Sequence, residues 1–308
     1  MNRELLAHLP IVVAVARRAG FAAAAAQLGM SPSAVSHAVK TVEDGIGLPL
    51  FVRTTRSVAV TETGATFMAS VEPALTAIEE AIERSRAAKG KVTGLLRLNA
   101  PRVALSIAIT PVIAAMASRF PDLTIEVASE DGFVDIVGGG FDAGIRLGEM
   151  IAEDMIAVRL TPPFQAIMVA APSYLEAKGA PKSIADLQKH NCIGFRLVST
   201  GAVYAWDLKD GVTDLSVRVA GTARVSDPMY ARELALAGVG IAYVFEPLVR
   251  GDIREKRLRW LLPSASVEET GLFLYFPRRA ADMPKLRAFI DTSREMLRIA
   301  EGRKGRAK

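Results

Sequence analysis

Cysteine and histidine are scarce in this sequence, which has one cysteine and three histidines in 308 residues. A single cysteine excludes an intramolecular disulfide framework and favours a reducing compartment. Cys192 lies in a segment with the pattern of a strand, so we expect a buried, unreactive thiol. The histidines, His8, His37 and His190, are far apart in sequence and match no metal-ligand spacing, so no metal site is predicted.

Long apolar runs are also missing, although half of the residues are hydrophobic and only 6% are aromatic. The longest uncharged stretch, residues 103–118, is shorter than the roughly 20 residues of a membrane-spanning helix, and it contains Pro111. The first four residues show no signal-peptide pattern. We therefore expect a soluble, cytoplasmic protein with an aliphatic core.

Motifs that support catalysis do not occur. The sequence has no Gly-x-Ser-x-Gly, no phosphate-binding loop and no cysteine–histidine arrangement. Gly238-Val239-Gly240 is a weak glycine signal, typical of a turn between a helix and a strand. Neither an enzymatic function nor a catalytic residue or cofactor is predicted. The net charge of +5 favours a polyanionic partner only weakly.

The first sixty residues predict three short helices and a hairpin. The first helix is expected from about His8 to Ala19, with Pro10 in its first turn, where a missing N–H is harmless. The second is expected from Ala22 to Gly29, a favourable C-terminal glycine. Ser31 is a good N-cap for the third helix, and Pro32 suits its first position. The tight turn between the last two helices predicts a helix-turn-helix.

The third helix has two faces when its residues are placed at 100° intervals. The apolar face consists of Val35, Ala38, Val39, Val42 and Ile46. The outer face carries donors, one cation and no acid; its residues are Ser33, Ser36, His37, Lys40 and Thr41. A helix with short polar side chains fits the major groove of B-DNA. The alternative is a polar face that is only solvated.

A hairpin and a long helix are predicted next. Residues 48–53 and 58–60 form the hairpin, or wing, whose arginines Arg53 and Arg56 suit phosphates or the minor groove. Thr61 is predicted to cap a helix that runs to about Lys89 and is kinked by Pro73. Its apolar positions recur every three or four residues, which favours a coiled-coil seam between two chains. The alternative is a helix packed on its own domain. The expected seam residues are Met68, Val71, Leu75, Ile78 and Ile82.

From Gly94 onward, short strands alternate with helical patterns, which predicts an α/β domain with parallel sheets. Proline clusters at 162–163 and at 263 bracket a segment that we interpret as a second lobe inserted into the first. The predicted organisation is a winged helix-turn-helix at 1–61, a linker helix at 62–91 and a two-lobed domain at 92–308. Lobe I would comprise 92–161 and 267–300, and lobe II 162–266.

Several motifs resemble those of LysR-type transcriptional regulators. Residues 25–37 resemble the helix-turn-helix of that family, residues 46–56 its wing, and residues 61–64 the start of its linker helix. Similar runs occur at 120–123, 141–146, 171–175 and 237–242. The sequence departs from the family at Ala22, where a serine or threonine usually caps the second helix. Losing such a cap costs about 1 kcal/mol, so this helix is expected to fray at its start.

This resemblance implies an α/β protein with an N-terminal all-α winged helix-turn-helix and a two-lobed effector domain like that of periplasmic binding proteins. It implies a transcriptional regulator whose partners are double-stranded DNA, a small-molecule effector, a second copy of the chain (a dimer or a dimer of dimers) and RNA polymerase. The residues expected at DNA are Ser31, Pro32, Ser33, Ser36, His37, Lys40, Arg53, Thr54 and Arg56. Those expected at the effector are Ala100, Pro101, Arg102, Val103, Arg146, Phe195, Arg196, Ser226 and Asp227.

The arginines in the second set suggest the charge of the effector. Arg102, Arg146 and Arg196 each fall at the end of a predicted strand, where ligands bind in open α/β sheets. Arginine pairs with carboxylates through two parallel hydrogen bonds, so a small carboxylate is favoured. If the arginines instead pair with acids such as Asp142 or Asp227, the cleft is neutral. Two further alternatives are a regulator that responds to no effector and a solute-binding protein of the same fold.

Overall fold

The computed structural model describes residues 3–53, 58–87, 91–132, 134–148 and 155–304. It divides the chain into two compact units, residues 1–91 and 92–308. The elements of the first unit are α1 (Arg3–Arg18), α2 (Phe21–Leu28), α3 (Pro32–Ile46), β1 (Phe51–Arg53), β2 (Val58–Val60) and α4 (Glu62–Ala87).

The first two helices begin earlier than predicted. α1 starts at Arg3, so Pro10 lies inside the helix, and its prediction for the first turn was wrong. Leu5 and Leu9 pack against the core of the unit, and this burial offsets the backbone hydrogen bond that proline removes. α2 has Gly20 at its N-cap and no side-chain cap. Ala22 therefore lies within the helix and not at the cap position, whereas the lack of a side-chain cap is confirmed.

The turn and the start of α3 are as predicted. Gly29 ends α2 in the left-handed region, at φ +63°, where a residue with a side chain is strained. The Ser31 hydroxyl accepts a hydrogen bond from the Ala34 amide at 3.2 Å, and Pro32 occupies the first position of the helix. Val35, Ala38, Val39 and Val42 are buried. The division of this helix into an apolar face and a polar face is confirmed.

The wing is fastened to α3 through a carboxylate. β1 and β2 pair antiparallel, with Phe51 opposite Val60. The Glu43 carboxylate of α3 accepts hydrogen bonds from the amides of Leu50, at 2.7 Å, and Phe51, at 3.1 Å. Leu50 and Phe51 are themselves buried in the core of the unit. The hairpin is therefore held in a fixed position beside the outer face of α3.

Thr61 joins the wing to α4. Its hydroxyl accepts from the Gly64 amide and donates to the Pro49 carbonyl, both at 2.9 Å. The predicted cap at Thr61 is confirmed, and α4 continues through Pro73 without ending.

The second unit alternates strands and helices. Its elements are β3 (Gly94–Ala100), α5 (Arg102–Ala104), α6 (Thr110–Arg119), β4 (Leu123–Ser129), β5 (Ala143–Leu147), β6 (Met155–Arg159), β7 (Phe164–Ala170), α7 (Pro172–Lys178), β8 (Cys192–Phe195), β9 (Trp206–Asp210), β10 (Thr213–Val217), β11 (Arg224–Val225), α8 (Pro228–Leu236), β12 (Ile241–Phe245), α9 (Glu246–Arg254), β13 (Arg259–Leu261), β14 (Val267–Glu269), β15 (Leu272–Pro277) and α10 (Pro284–Lys304). A π turn, Leu105–Ile109, connects α5 to α6.

Among the described residues, one mixed sheet lies in each lobe, and β9 and β10 form a separate antiparallel pair. The order in lobe I is β4-β3-β5-β15-β6, and in lobe II β11-β8-β12-β7-β13, with β14 also paired to β7. β3 runs parallel to β4 and β5, whereas β15 runs antiparallel to its neighbours, as β7 does in lobe II. The expectation of purely parallel sheets was wrong. β7 and β15 each arrive directly from the other lobe, so they run against the strands that follow a helix of their own lobe.

Each sheet is covered by apolar side chains. In lobe I, Leu98 and Leu274 of the sheet pack against Met116 of α6 and Phe289 of α10. The stretch Arg102–Arg119 could cross a membrane by length and composition alone, but Met116 and its neighbours belong to this core. In lobe II, Cys192 is buried as predicted, and burial raises the pKa of its thiol to about 12. Its low reactivity stays a prediction.

Candidate nucleic-acid interface and effector cleft

The outer face of α3 presents a compact set of polar side chains. Ser33, His37 and Lys40 are exposed, and Ser36 is half-buried. The two hydroxyls at the start of the helix, those of Ser31 and Ser33, lie 2.9 Å apart. Since the apolar side of the helix is fully buried, only this polar surface can face another molecule. Pro32 is exposed at the same end.

The tip of the wing lies partly outside the described residues. Arg53 is the last residue of β1, and only its backbone is described. Thr54 and Arg56 fall in the segment 54–57, which the structure does not describe. The roles of these three residues at DNA remain predictions.

The apolar stripe of α4 is divided between two environments. Met68 is buried in the core of its own unit, and Val71 and Leu75 pack half-buried against the same core. Ile78 and Ile82, by contrast, are 58% and 47% exposed. The prediction that Met68 faces a second chain was wrong, because the first turns of α4 pack on the preceding helices. The exposed part of the stripe is its second half.

Two of the predicted effector residues are buried. Ala100 belongs to the lobe I core, and Val103 is also buried. The Ala100 carbonyl is occupied by the Glu130 amide at 3.0 Å. A side-chain contact between Ala100 and an effector is therefore a wrong prediction for this conformation. Pro101 is half-buried at the start of α5.

Arg102 is already paired with carboxylates. Its guanidinium donates to Asp131 at 2.7 and 2.8 Å, and its amide donates to the other oxygen of Asp131 at 2.9 Å. The guanidinium also lies 3.9 Å from Asp227 of lobe II. Asp227 accepts from the Met229 amide at 2.8 Å and thereby caps α8. Arg102 thus links the lobes through its half-exposed ion pair with Asp227. Exposed ion pairs of this kind contribute roughly 0–1 kcal/mol to stability.

Arg146 has a different environment. It is 4% exposed and donates to the Ile145 carbonyl at 2.7 Å, to Asn99 Oδ1 at 2.6 Å and to the Gly132 carbonyl at 2.9 Å. Within the described residues it has no carboxylate within ion-pair distance. Burial lowers the pKa of its guanidinium, which is still charged at neutral pH because arginine starts above 12. Its direct hydrogen-bond partners are therefore neutral oxygens, and the carboxylates of Asp131 and Glu130 act on it only from beyond ion-pair distance.

The alternative pairing of Arg146 with Asp142 is wrong. The Asp142 carboxylate instead accepts from the Arg97 amide at 2.8 Å and lies 3.2 Å from the Lys285 ammonium. Arg97 and Lys285 therefore contact the carboxylate that this alternative assigned to Arg146.

The lobe II residues of the predicted set meet at one end of its sheet. β11 pairs parallel with β8, placing Val225 beside Phe195, so Ser226 and Asp227 follow next to Arg196. Phe195, Ser226 and Asp227 are half-buried and Arg196 is exposed. Among the described residues, no carboxylate lies within ion-pair distance of the Arg196 side chain. This end of the sheet therefore offers one free cation.

Sequence reasoning missed Asn99, Asp131 and Tyr275. Asn99 and Tyr275 are buried polar residues in otherwise apolar strands, and that contrast was the available signal. Asp131 lies in a loop, and its contact with Arg102 depends on the pairing of β3 with β4, which the sequence pattern does not specify.

Two family models match the chain. Residues 6–65 match the "Bacterial regulatory helix-turn-helix protein, lysR family", and residues 89–298 match the "LysR substrate binding domain". Together they cover most of the chain, and they fall on the first and second units respectively.

Known proteins resemble the chain over most of its length. The "Uncharacterized HTH-type transcriptional regulator YcaN" of Escherichia coli is 36% identical over 278 residues, which cover 90% of this chain and 91% of the relative. The structure of CrgA, a LysR-type transcriptional regulator from Neisseria meningitidis, is 28% identical and covers 96% of this chain and 99% of its own, with a TM-score of 0.61. Full-length LysG from Corynebacterium glutamicum, with bound effector Arg, shares the fold at 20% identity, with a TM-score of 0.60 and coverage of 96% and 99%. All three are described as transcriptional regulators.

Proposed function

Because this chain belongs to the LysR family of bacterial transcriptional regulators, we propose that it binds specific DNA sequences in the cytoplasm as a homo-oligomer under the control of a small anionic effector. We further propose that RNA polymerase is a partner of the protein. In this proposal residues 1–61 bind DNA, residues 62–91 form the linker and dimerisation helix, and residues 92–308 bind the effector.

The outer face of α3 supports the DNA-binding part. A helix inserted in the major groove reads bases with short donors near its N-terminal end, and cations beside it hold phosphates. Ser33, Ser36 and His37 are placed for the first task and Lys40 for the second. Thr41 is less suited to base contact, since its hydroxyl donates to the His37 carbonyl at 3.0 Å.

Replacing Lys40 with alanine should weaken binding to all DNA sequences, whereas replacing His37 should act on the preferred sequence alone. A lost phosphate contact lowers the salt slope of log K by about 1, and a lost base contact costs about 1–3 kcal/mol of discrimination. Fluorescence anisotropy over a salt series would measure both, with a duplex selected from a random pool and an unselected duplex. Lys182→Ala removes an exposed cation from the other unit and is the control. Equal losses on both duplexes for His37→Ala would contradict base reading by this helix.

Arg146 carries the effector part of the proposal. It is a buried cation near the carboxyl end of β5, with no carboxylate partner among the described residues, at the edge of the sheet where ligands bind in open α/β folds. The exposed Arg196 adds a second cation from lobe II. LysG, which shares this fold, is described with a bound small-molecule effector. Arg102 contributes less, because Asp131 already neutralises it.

Small carboxylic acids should stabilise the full chain, and their amides should not. A ligand at 100 times its Kd adds about 2.7 kcal/mol to the free energy of unfolding. Thermal unfolding in the presence of paired acids and amides, such as acetate with acetamide and benzoate with benzamide, measures this difference. Arg196→Ala should reduce the response, whereas Arg218→Ala, an exposed arginine elsewhere in lobe II, should leave it intact. Equal stabilisation by the amides would rule out an anionic effector. If none of the compounds stabilises the protein, a regulator whose lobes act only as a scaffold is favoured.

A further inference from the structure

Three neighbouring strands of lobe I place polar side chains in one row. Asn99 of β3 lies opposite Gly144 of β5, and Gly144 lies opposite Tyr275 of β15. Directly opposed residues of adjacent strands project from the same face of a sheet. Asn99 and Tyr275 therefore flank Gly144 on the face opposite the core that contains Leu98 and Leu274.

Gly144 makes room for the tyrosine ring. A Cβ atom at this position would lie 2.3 Å from Tyr275 Cζ and 2.4 Å from its hydroxyl oxygen. The phenol therefore lies across the glycine, in the direction of Asn99, and any larger residue would displace it. Arg146 follows two residues later in β5 and projects from the same face, because side chains alternate along a strand. The hydroxyl, the amide and the guanidinium are thus gathered above one backbone position.

The hydrogen bonds of this group are incomplete. Arg146 donates to Asn99 Oδ1 at 2.6 Å, but Asn99 Nδ2 and the Tyr275 hydroxyl are buried without a partner among the described residues. Leaving a buried donor unsatisfied costs about 1–3 kcal/mol. The amide nitrogen can only donate, the hydroxyl can donate, and the adjacent cation has no carboxylate within ion-pair distance in the part of the chain that the structure describes. A negatively charged hydrogen-bond acceptor would satisfy all three groups.

We propose that Asn99, Arg146 and Tyr275 form an anion site within lobe I and that it receives the carboxylate group of the effector. This inference rests on the proposed function, which supplies the anionic effector, and it adds Asn99 and Tyr275 as the residues that select it. Each of the three side chains is nearly fully buried, so an anion must lose its water to reach them. A singly charged group meets this requirement at a lower desolvation cost than a doubly charged one.

The experiment uses the full chain in sodium sulfate, whose doubly charged anion is disfavoured in a buried site, with chloride or acetate exchanged in at constant ionic strength while thermal unfolding is followed. Acetate is expected to raise the unfolding temperature with a saturable dependence on concentration. Tyr275→Phe keeps the ring over Gly144 and removes only the hydroxyl, and it should raise the apparent Kd for acetate about tenfold, the equivalent of one hydrogen bond. Tyr243→Phe is the matched control, since the Tyr243 hydroxyl donates to the Asp207 carbonyl of lobe II at 2.5 Å.

A second variant tests the site without relying on a loss of contacts. Asn99→Asp has nearly the same shape and places a carboxylate beside Arg146, so it supplies the missing anion from the chain itself. It should unfold at a higher temperature than wild type in sulfate and should no longer respond to acetate. A wild-type response to acetate in this variant would contradict the site.

The outcomes separate this inference from the proposed function. If carboxylic acids stabilise the wild type but Tyr275→Phe and Asn99→Asp respond as the wild type does, the effector is anionic and this site is not where it binds. A saturable response to acetate, alone or in competition with chloride, supports the inference. A response to chloride alone overturns the assignment to an effector carboxylate.

Discussion

Replacing Asp252 with asparagine should destabilise the two-lobed unit by about 1.5–3 kcal/mol, the contribution of hydrogen bonds to a charged group. Asp252 is 1% exposed and contacts two arginines. Arg232 donates to its oxygens at 2.6 and 2.9 Å, and the Arg257 guanidinium lies 2.6 Å away. The amide of asparagine preserves the shape but removes the buried negative charge that the two arginines share, and Arg232 keeps only its pair with the exposed Glu233, at 2.7 Å. The effect should exceed that of most single substitutions.

Urea unfolding followed by circular dichroism measures this loss as a shift of the midpoint for the two-lobed unit. Glu246→Gln on the same helix, α9, is the control. It breaks the pair with Arg250, at 2.6 Å and half-exposed, and pairs of this kind at i and i+4 contribute about 0.3–0.5 kcal/mol. If Asp252→Asn unfolds at the wild-type urea concentration, the two arginines gain nothing net from the carboxylate.

The Asp252 pairs also concern the effector cleft. Arg232 belongs to α8, and Asp252 belongs to α9, so their contact fixes one helix against the other. The first residue before α8 is Asp227, which lies near Arg102 of lobe I. A shift of α8 would therefore move the lobe II side of the cleft. We expect Asp252→Asn to weaken the response to acids even at temperatures where the protein remains folded.

Local features of the fold were predictable from the sequence because their causes are local. Ser31 and Pro32 mark the start of α3 through capping and backbone constraint, and Gly29 ends α2 because it tolerates a left-handed conformation. Thr61 marks the start of α4 for the same kind of reason. The start of α1 was not predictable in this way, since the packing of Leu5 and Leu9 overrides the preference of Pro10 for a first turn.

The charge state of the cleft could not be predicted, because it depends on contacts between distant residues. Arg102 and Arg146 look alike in sequence, as each follows or ends a strand. Only the pairing of β3 with β4 and β5 places Asp131 against the first and Asn99 against the second. Arg102 is thereby paired with a carboxylate, while Arg146 has neutral oxygens as its direct partners. The direction of β15, which brings in Tyr275, likewise follows from the crossing between the lobes.

The apolar stripe of α4 was predictable as a pattern, but its two halves have different partners. Met68 and Leu75 belong to the same repeat of three- and four-residue gaps as Ile78 and Ile82, so the sequence does not distinguish the two halves. The packing of the first turns against α1 accounts for the former pair. Isoleucines that are about half exposed on a long helix would each gain about 1.5–3 kcal/mol if they were fully buried. A second copy of the chain is the partner we expect to bury them.

Replacing Ile78 and Ile82 with glutamate should therefore convert the oligomer to monomers. The change removes apolar contacts from the seam and places two like charges from each chain there, which should weaken association at least 100-fold, or about 3 kcal/mol. Light scattering coupled to size exclusion, over a range of concentrations, measures the mass. Ala77→Glu introduces the same charge on a different side of the helix and should leave the mass unchanged. Leu75 is left intact because it packs against the core of the first unit. A substitution there could unfold that unit, and the loss of folding could be mistaken for a loss of association. An unchanged mass for the double variant, with unchanged circular dichroism, would mean that α4 joins the chains through another face or that the two-lobed unit alone holds them together.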